Sequence, residues 1–354
     1  MRIHFFFADR AKWFTAILAC LLIGGECLAQ EKEKTRWVNV SEAVVQSLTS
    51  AGKKTDWPGE TAGVTVDPAT GDVYMIVTGQ GIWKSTDGAK TFARSDGGKI
   101  GGRCETAFAL NADPAGQRLA CFMLDGACAW TGDSGKTWHA FANVGRNWDF
   151  AAVDWSTDDV RHIFAGLHES GGQVMLSHDG GQKWTKLFKD PEFDKTGGLG
   201  IFDAKILVYT QKGKGIQRST DGGATWTKID DREPLGRVVR VFRGKAYWLA
   251  KEGLLVSSDK GATWMVQGQP VDATIGPFLD PKNEKRMVVA GAKGISRTND
   301  GGETWTPVAT LPQGFDVPKS GWFTNVAWDP VHDAFYVSKM GKPTYRLDAE
   351  QPSP

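Results

Sequence analysis

An eight-residue phrase recurs along this chain, and its spacing constrains the fold more than any other feature. The cleanest copy is Ser219-Thr220-Asp221-Gly222-Gly223-Ala224-Thr225-Trp226, and Ser257 to Trp264 nearly matches it. Thr131 to Trp138, Ser177 to Trp184 and Thr298 to Trp305 carry single swaps, while Ser85 to Phe92 is the most worn. The six aspartates, Asp87, Asp133, Asp179, Asp221, Asp259 and Asp300, stand 46, 46, 42, 38 and 41 residues apart by difference of position. A period of about 40 residues marks a repeat architecture, in which no unit buries its apolar face alone.

Each copy sits where a hairpin turn belongs, after a short β-rich run such as Lys214 to Arg218. The Asp side chain can accept bonds from the turn's own N–H groups. The Gly two residues on supplies a positive φ at no steric cost. Thr starts the next strand, and Trp drops a large apolar ring between neighbouring elements. A turn and a core thus account for the whole phrase. One carboxylate per box falls short of a metal-binding loop.

These boxes resemble those of the Asp-box (bacterial neuraminidase repeat) propellers, and the resemblance covers nearly all of the chain after about residue 34. That group includes sialidases, xyloglucan-cleaving glycosidases, sortilin-type receptors and photosystem II assembly-factor propellers. It implies an all-β fold and leaves activity open, because its members share the box and differ in function.

Each box is preceded by two further strand-like runs, so strand, strand, strand, box, strand is one four-stranded blade. In the first unit the runs are Gly63 to Asp67, Asp72 to Val77 and Gly81 to Lys84. Comparable first strands follow at 106–111, 150–154, 200–203, 238–242 and 275–280. A seventh unit begins at Asn325-Val326-Ala327-Trp328-Asp329-Pro330, continues through 334–339 and 343–347, and ends without a box. Its missing outer strand is available at the other end of the chain, in Thr35 to Val40. Joining the ends closes the ring and pairs both free edges. The reading is a seven-bladed β-propeller with one composite blade, and six blades is the alternative.

The N-terminus is separate. Arg2, Arg10 and Lys12 precede an apolar run from Trp13 to Ile23, and Cys27 and Ala29 provide a small-residue exit. This is the pattern of a secretory signal peptide over 1–29, too short to span a membrane. A leader at 30–34, a single propeller at 35–348 and a tail at 349–354 complete the organisation. Glu26 before Cys27 disfavours lipoprotein anchoring, so the expected location is secreted or periplasmic. A formal net charge of +1 and no basic run argue against nucleic acid. No cofactor is expected, and the expected form is a monomer. Cys104, Cys121 and Cys128 remain after cleavage, an odd number best read as buried thiols. An Asp125-Gly126 turn would set Cys128 against Met123. The six histidines show no metal-ligand spacing.

In such a meander the boxes mark one face, and the loops leading into the first strands share the opposite face with the turns between second and third strands. The leading loops carry Trp57 and Glu60; Arg103 and Glu105; Arg146, Trp148 and Asp149; Arg237 and Arg240; Asp272; and Trp322 and Asn325. Two readings stand for the arginines. Arg103–Glu105 and Arg146–Asp149 are self-satisfied pairs lining a wet channel, or the arginines form a patch for carboxylate or phosphate, which planar guanidinium forks suit. Trp57, Trp148 and Trp322 are either stacking platforms or packing against the next blade. Lys212, Lys214, Lys251, Lys293 and Lys342 make one sector of second-to-third turns basic, against Asp125, His168 and Glu169 in the other.

Sialidase-like activity would need an Arg-Ile-Pro signature and a tyrosine nucleophile. The signature is absent, and Tyr74, Tyr209, Tyr247, Tyr336 and Tyr345 all fall inside predicted strands. Xyloglucanase-like hydrolysis needs two carboxylates across a cleft, for which Glu105 and Asp149 form the available pair among Glu60, Glu105, Asp149 and Asp272. The best-fitting resemblance is the single-propeller assembly-factor type, which implies binding of a protein segment. The expectation is an exported scaffold for a protein or glycan on the face opposite the boxes, with glycoside hydrolysis as the alternative.

Overall fold

Short runs rich in Val, Ile, Leu and aromatics, each bounded by Gly or Asp turns, form four-stranded antiparallel meanders. The computed structural model describes residues 37–102, 109–124, 128–142, 147–317 and 324–349. Seven such sheets stand in a ring, which excludes the six-bladed alternative. The signal-like segment 1–29, the leader and residues 350–354 lie outside the described residues, as do Cys104, Arg103, Glu105, Arg146 and Trp322.

Blade 1 runs Thr61–Val66, Val73–Val77, Gly81–Ser85 and Ala93–Arg94. The inner strands of blades 2 to 6 are Leu110–Ala112, Trp148–Val153, Gly198–Ile201, Arg240–Phe242 and Ile275–Asp280. The strands expected at 275–280 and 334–339 match their observed bounds, and the others shift by up to two residues where described. Inner and middle strands are buried on both faces, so the core lies between blades. Trp226 of the blade 4 box shows how it is built, standing edge-on to Tyr209 and stacking towards Phe164 of blade 3.

Blade 7 closes the ring with both ends of the chain. Thr324–Asp329, Ala334–Lys339 and Tyr345–Asp348 are completed by Val38–Asn39, paired Val38 to Arg346 and Asn39 to Tyr345. The junction extends beyond the strands. Val40 N–H donates to Thr344 O (2.9 Å), and Thr344 N–H donates to the buried Ser41 Oγ (3.1 Å). Thr61 Oγ1 lies 2.9 Å from Thr344 Oγ1 and 3.2 Å from Ser338 Oγ, tying blade 7 to blade 1.

Among the described residues, two helices interrupt the β pattern. The first, α1 (Glu42–Ser50), buries Val44 and Leu48 against Met75 and Val77 of blade 1. Its N-cap Ser41 makes no side-chain capping bond to the helix. The second, α2 (Pro191–Thr196), starts with Asp190 Oδ1 accepting from Glu192 N–H (3.0 Å) and Pro at its first position.

The box turns repeat one hydrogen-bond plan. Asp221 Oδ1 accepts from Ser219 Oγ (2.7 Å) and Thr225 N–H (2.9 Å), and Oδ2 accepts from Thr225 Oγ1 (2.6 Å). Ser219 Oγ in turn accepts from Gly223 N–H (2.8 Å). Gly223 has φ +88°, and a Cβ there would meet Leu187 of blade 3 at 2.8 Å. Asp87, Asp133, Asp259 and Asp300 hold the same set, and Asp179 keeps all but the bond from the replaced Thr. The Thr225 hydroxyl, then its amide and the Ser219 hydroxyl, hold the exposed Asp221 carboxyl down at about 2.

Candidate functional site

The meander puts box turns at one end of every blade. At the other end meet the turns between second and third strands and the loops that join blades. A groove of about 620 Å³ opens on this second face between blades 4 and 5. Its walls are the Gln211–Lys212 turn of blade 4, the 231–237 loop leading into blade 5, the Lys251–Glu252 turn of blade 5 and the end of α2. Pro234 and the 40% exposed Leu235 give it an apolar strip. Among ionisable lining residues, Lys195, Lys212, Arg232, Arg237 and Lys251 outnumber Asp231, Glu233 and Glu252.

Several of these groups are already occupied. Arg232 is held by Asp230, Glu233 Oε1 accepts from Gly213 N–H, and Asp231 pairs with Lys228. Arg237 is buried, and its guanidinium donates to the carbonyls of Gly197 (2.6 Å), Lys195 (2.8 Å) and Asp194 (3.3 Å). It thereby caps the negative end of α2 and lies over the Phe150 ring. Burial lowers its pKa to about 10 against the opposing pull of Asp149 and Asp194, so it stays charged at neutral pH. Gln211 sits behind it, 2% exposed. Its Nε2 donates to Asp190 Oδ2 (2.8 Å), while its Oε1 is buried with no hydrogen-bond partner among the described residues. Asp190 Oδ2 also takes Lys214 Nζ (2.8 Å), the foremost reason its carboxyl falls to about 2. Lys212 and Lys251 are exposed at the rim, with no ion pair among the described residues.

The other sequence-chosen residues disperse. Trp148 is packing, not a platform: it is 3% exposed and lies 4.4 Å from the Trp184 ring of its own box, with Phe122 of blade 2 at 6.1 Å. Asp149 is buried and bonded to His168 Nδ1 (2.7 Å). Trp57 is 69% exposed. Glu60 precedes blade 1 with φ +45°, its pKa raised by burial and opposed by Lys342. Asp272 is exposed at the approach to blade 6. Asn325 is buried in blade 7, both amide atoms without a hydrogen-bond partner among the described residues. Arg240 leaves the group altogether and crosses the central channel to Asn111 of blade 2.

Cys128 is buried behind this face. Its Sγ accepts from Met123 N–H (3.1 Å), in line with the expected facing pair, and burial pushes the thiol up to about 12. All five tyrosines lie within strands. Among the described residues no three His, Cys, Asp or Glu side chains could hold a metal ion. No helix among them is long and apolar enough to cross a membrane.

Comparison with known proteins bears on the boxes first. Residues 217–228, the heart of the cleanest copy, match the BNR/Asp-box repeat family. The chain is a seven-bladed β-propeller that carries a match to this repeat. Part of the propeller is 26% identical over 153 residues to a xyloglucanase of a Paenibacillus species, covering 40% of this chain and 15% of that protein. Another alignment, 29% identical over 124 residues, reaches the dispase autolysis-inducing protein of Streptomyces mobaraensis, covering 34% of this chain and 32% of that one. The propeller therefore matches less than a third of the length of either curated relative. Among solved structures, YCF48 from Cyanidioschyzon merolae superposes with a TM-score of 0.44 and 12% identity, covering 84% of this chain and 98% of that one.

The residues that sequence reasoning missed here are Gln211, Pro234, Leu235 and Lys195. Gln211 reads as an ordinary strand residue and Lys195 as an exposed helical one. Only the short α2, signalled by Asp190-Pro191, turns this blade-joining loop of the propeller into a wall.

Proposed function

We propose that this propeller is a non-catalytic scaffold that holds an acidic, extended protein segment in the groove between blades 4 and 5, on the face opposite the boxes. The exposed Lys212 and Lys251, which face each other across this groove's rim with no ion pair among the described residues, carry this reading. Lys212 and Lys251 at the rim, with the apolar strip of Pro234 and Leu235, suit acidic side chains interleaved with apolar ones. The apolar run before Ala29 supports an activity outside the cytoplasm, secreted or periplasmic.

The partial similarity to a xyloglucanase favours glycoside hydrolysis as a second reading. It is the weaker one, because Asp149 is buried and engaged by His168, while Glu60 and Asp272 approach different blades, 1 and 6. Titration of a labelled Asp/Glu-rich peptide library tests the first reading. Lys212→Glu with Lys251→Glu should weaken binding by about tenfold or more, on the scale of about 1.4 kcal/mol. Unchanged affinity would overturn it. Release of oligosaccharide from xyloglucan, lost in Asp149→Asn, would instead establish the second.

A further inference from the structure

Arg240 is the first residue of the inner strand of blade 5. It stands in the box-side half of the central channel, since the same chamber is lined by Pro68 and Pro114, which follow the inner strands of blades 1 and 2. The chamber measures about 40 Å³, and its walls mix apolar side chains, Val66, Leu110, Phe278 and Val326 among them, with Arg240 and with Asp113, whose charge is taken up by Arg118. Nη1 donates to Asn111 Oδ1 at 3.3 Å, which uses one of the five N–H donors of the guanidinium.

Other buried or partly buried arginines are matched. Arg118 has Asp113, Arg286 has Asp280, and Arg237 has three carbonyls. Arg240 has no carboxylate within ion-pair distance among the described residues. Burial lowers its pKa to about 10, so the positive charge persists at pH 7. Burying a charge with no counter-charge in contact is costly, and the narrowness of the channel keeps bulk water and large counter-ions from screening it.

We infer that the central channel is a binding site for one small, singly charged anion, chloride or a short carboxylate such as formate, held by Arg240. Size and charge set the class. A chamber of about 40 Å³ admits a few water-sized atoms. One guanidinium balances one negative charge, which disfavours sulfate and phosphate. The site is independent of the blade 4–5 groove, because none of the groove's side chains lines the chamber.

The test compares thermal unfolding of the full chain in sodium chloride and in sodium gluconate, whose anion is too bulky, at equal ionic strength. Chloride should raise Tm by about 2 °C or more, saturating with concentration as expected for a ligand of the folded state. Arg240→Met should abolish that difference. The same chloride effect in Arg240→Met, or none in the wild type, overturns the inference. Should Arg240→Met fail to fold, crystals grown in bromide give a second readout. Anomalous density beside the Arg240 guanidinium, displaced by formate, supports the site, and its absence overturns it.

Discussion

At the scale of single residues, each box Asp is a turn anchor whose ionisation is built into the fold. Asp221 accepts from two hydroxyls and an amide, which hold its carboxyl at about 2 in the folded chain against 3.8 for an unperturbed group. A depressed folded pKa gives stability that is fully present above the unfolded value and lost as pH falls through the folded one. The Tm difference between wild type and Asp221→Asn should therefore be greatest from pH 5 upward and shrink between about pH 4 and pH 2. Melting curves across that range check it, and a constant gap would show that the charge plays no part. The anchoring role was legible in the spacing of Ser, Asp, Gly and Thr. The fate of Trp148 and Asp149 was not. A register shift between Trp148 and Phe150 changes which way the start of that strand faces, and side-chain direction alternates with every residue. A bulge leaves no signature in a run such as Trp148-Asp149-Phe150-Ala151.

At the scale of elements, seven blades were legible because every turn carries its own chemistry. The box is half of that chemistry. A second Asp ends or follows the inner strand on the same face in every blade but the fifth, where Arg243-Gly244 makes the turn, and its Oδ1 accepts the N–H two residues on: Asp67 to Ala69, Asp113 to Ala115, Asp154 to Ser156, Asp203 to Lys205, Asp280 to Lys282 and Asp329 to Val331, all at 2.8–2.9 Å. This second series is only partly legible in sequence: Asp67, Asp113, Asp280 and Asp329 are each followed by Pro, whereas Asp154 and Asp203 are followed by Trp and Ala. The helix α1 was missed for another reason: two apolar positions four apart, Val44 and Leu48, are too few to stand out. The closing strand was legible because the seventh unit ends without a box and Thr35 to Val40 offers the missing outer strand. Its reinforcement by Ser41 was not. Ser41→Ala removes the acceptor of the Thr344 N–H inside a buried junction and should cost about 1–3 kcal/mol. Urea unfolding measures this, and a loss below about 0.5 kcal/mol would show the junction to be held by strand pairing alone.

At the scale of the whole molecule, a net charge of +1 hides an asymmetry. Lys212, Lys251 and Lys293 are exposed in successive second-to-third turns of blades 4, 5 and 6. An acidic segment would thus be drawn towards one sector of the face. Raising ionic strength from about 0.01 M to about 1 M shortens the screening length from ~30 Å to ~3 Å. The association rate of such a segment should then fall by about tenfold or more, with a smaller change in Lys251→Ala and Lys293→Ala together. Stopped-flow mixing gives both numbers, and salt-independent association would place the determinants of encounter elsewhere.

The meeting of residues 38–39 with residues 345–346 in one sheet has a consequence for how the molecule can be rebuilt. Blade 7 spans the covalent break, so the place where the chain is cut is separable from the ring it forms. A circular permutant that bridges the old ends with a flexible linker and opens at the exposed Arg243-Gly244 turn should preserve all seven sheets. In such a chain blade 7 would be continuous, and the double-ended blade would move to position five.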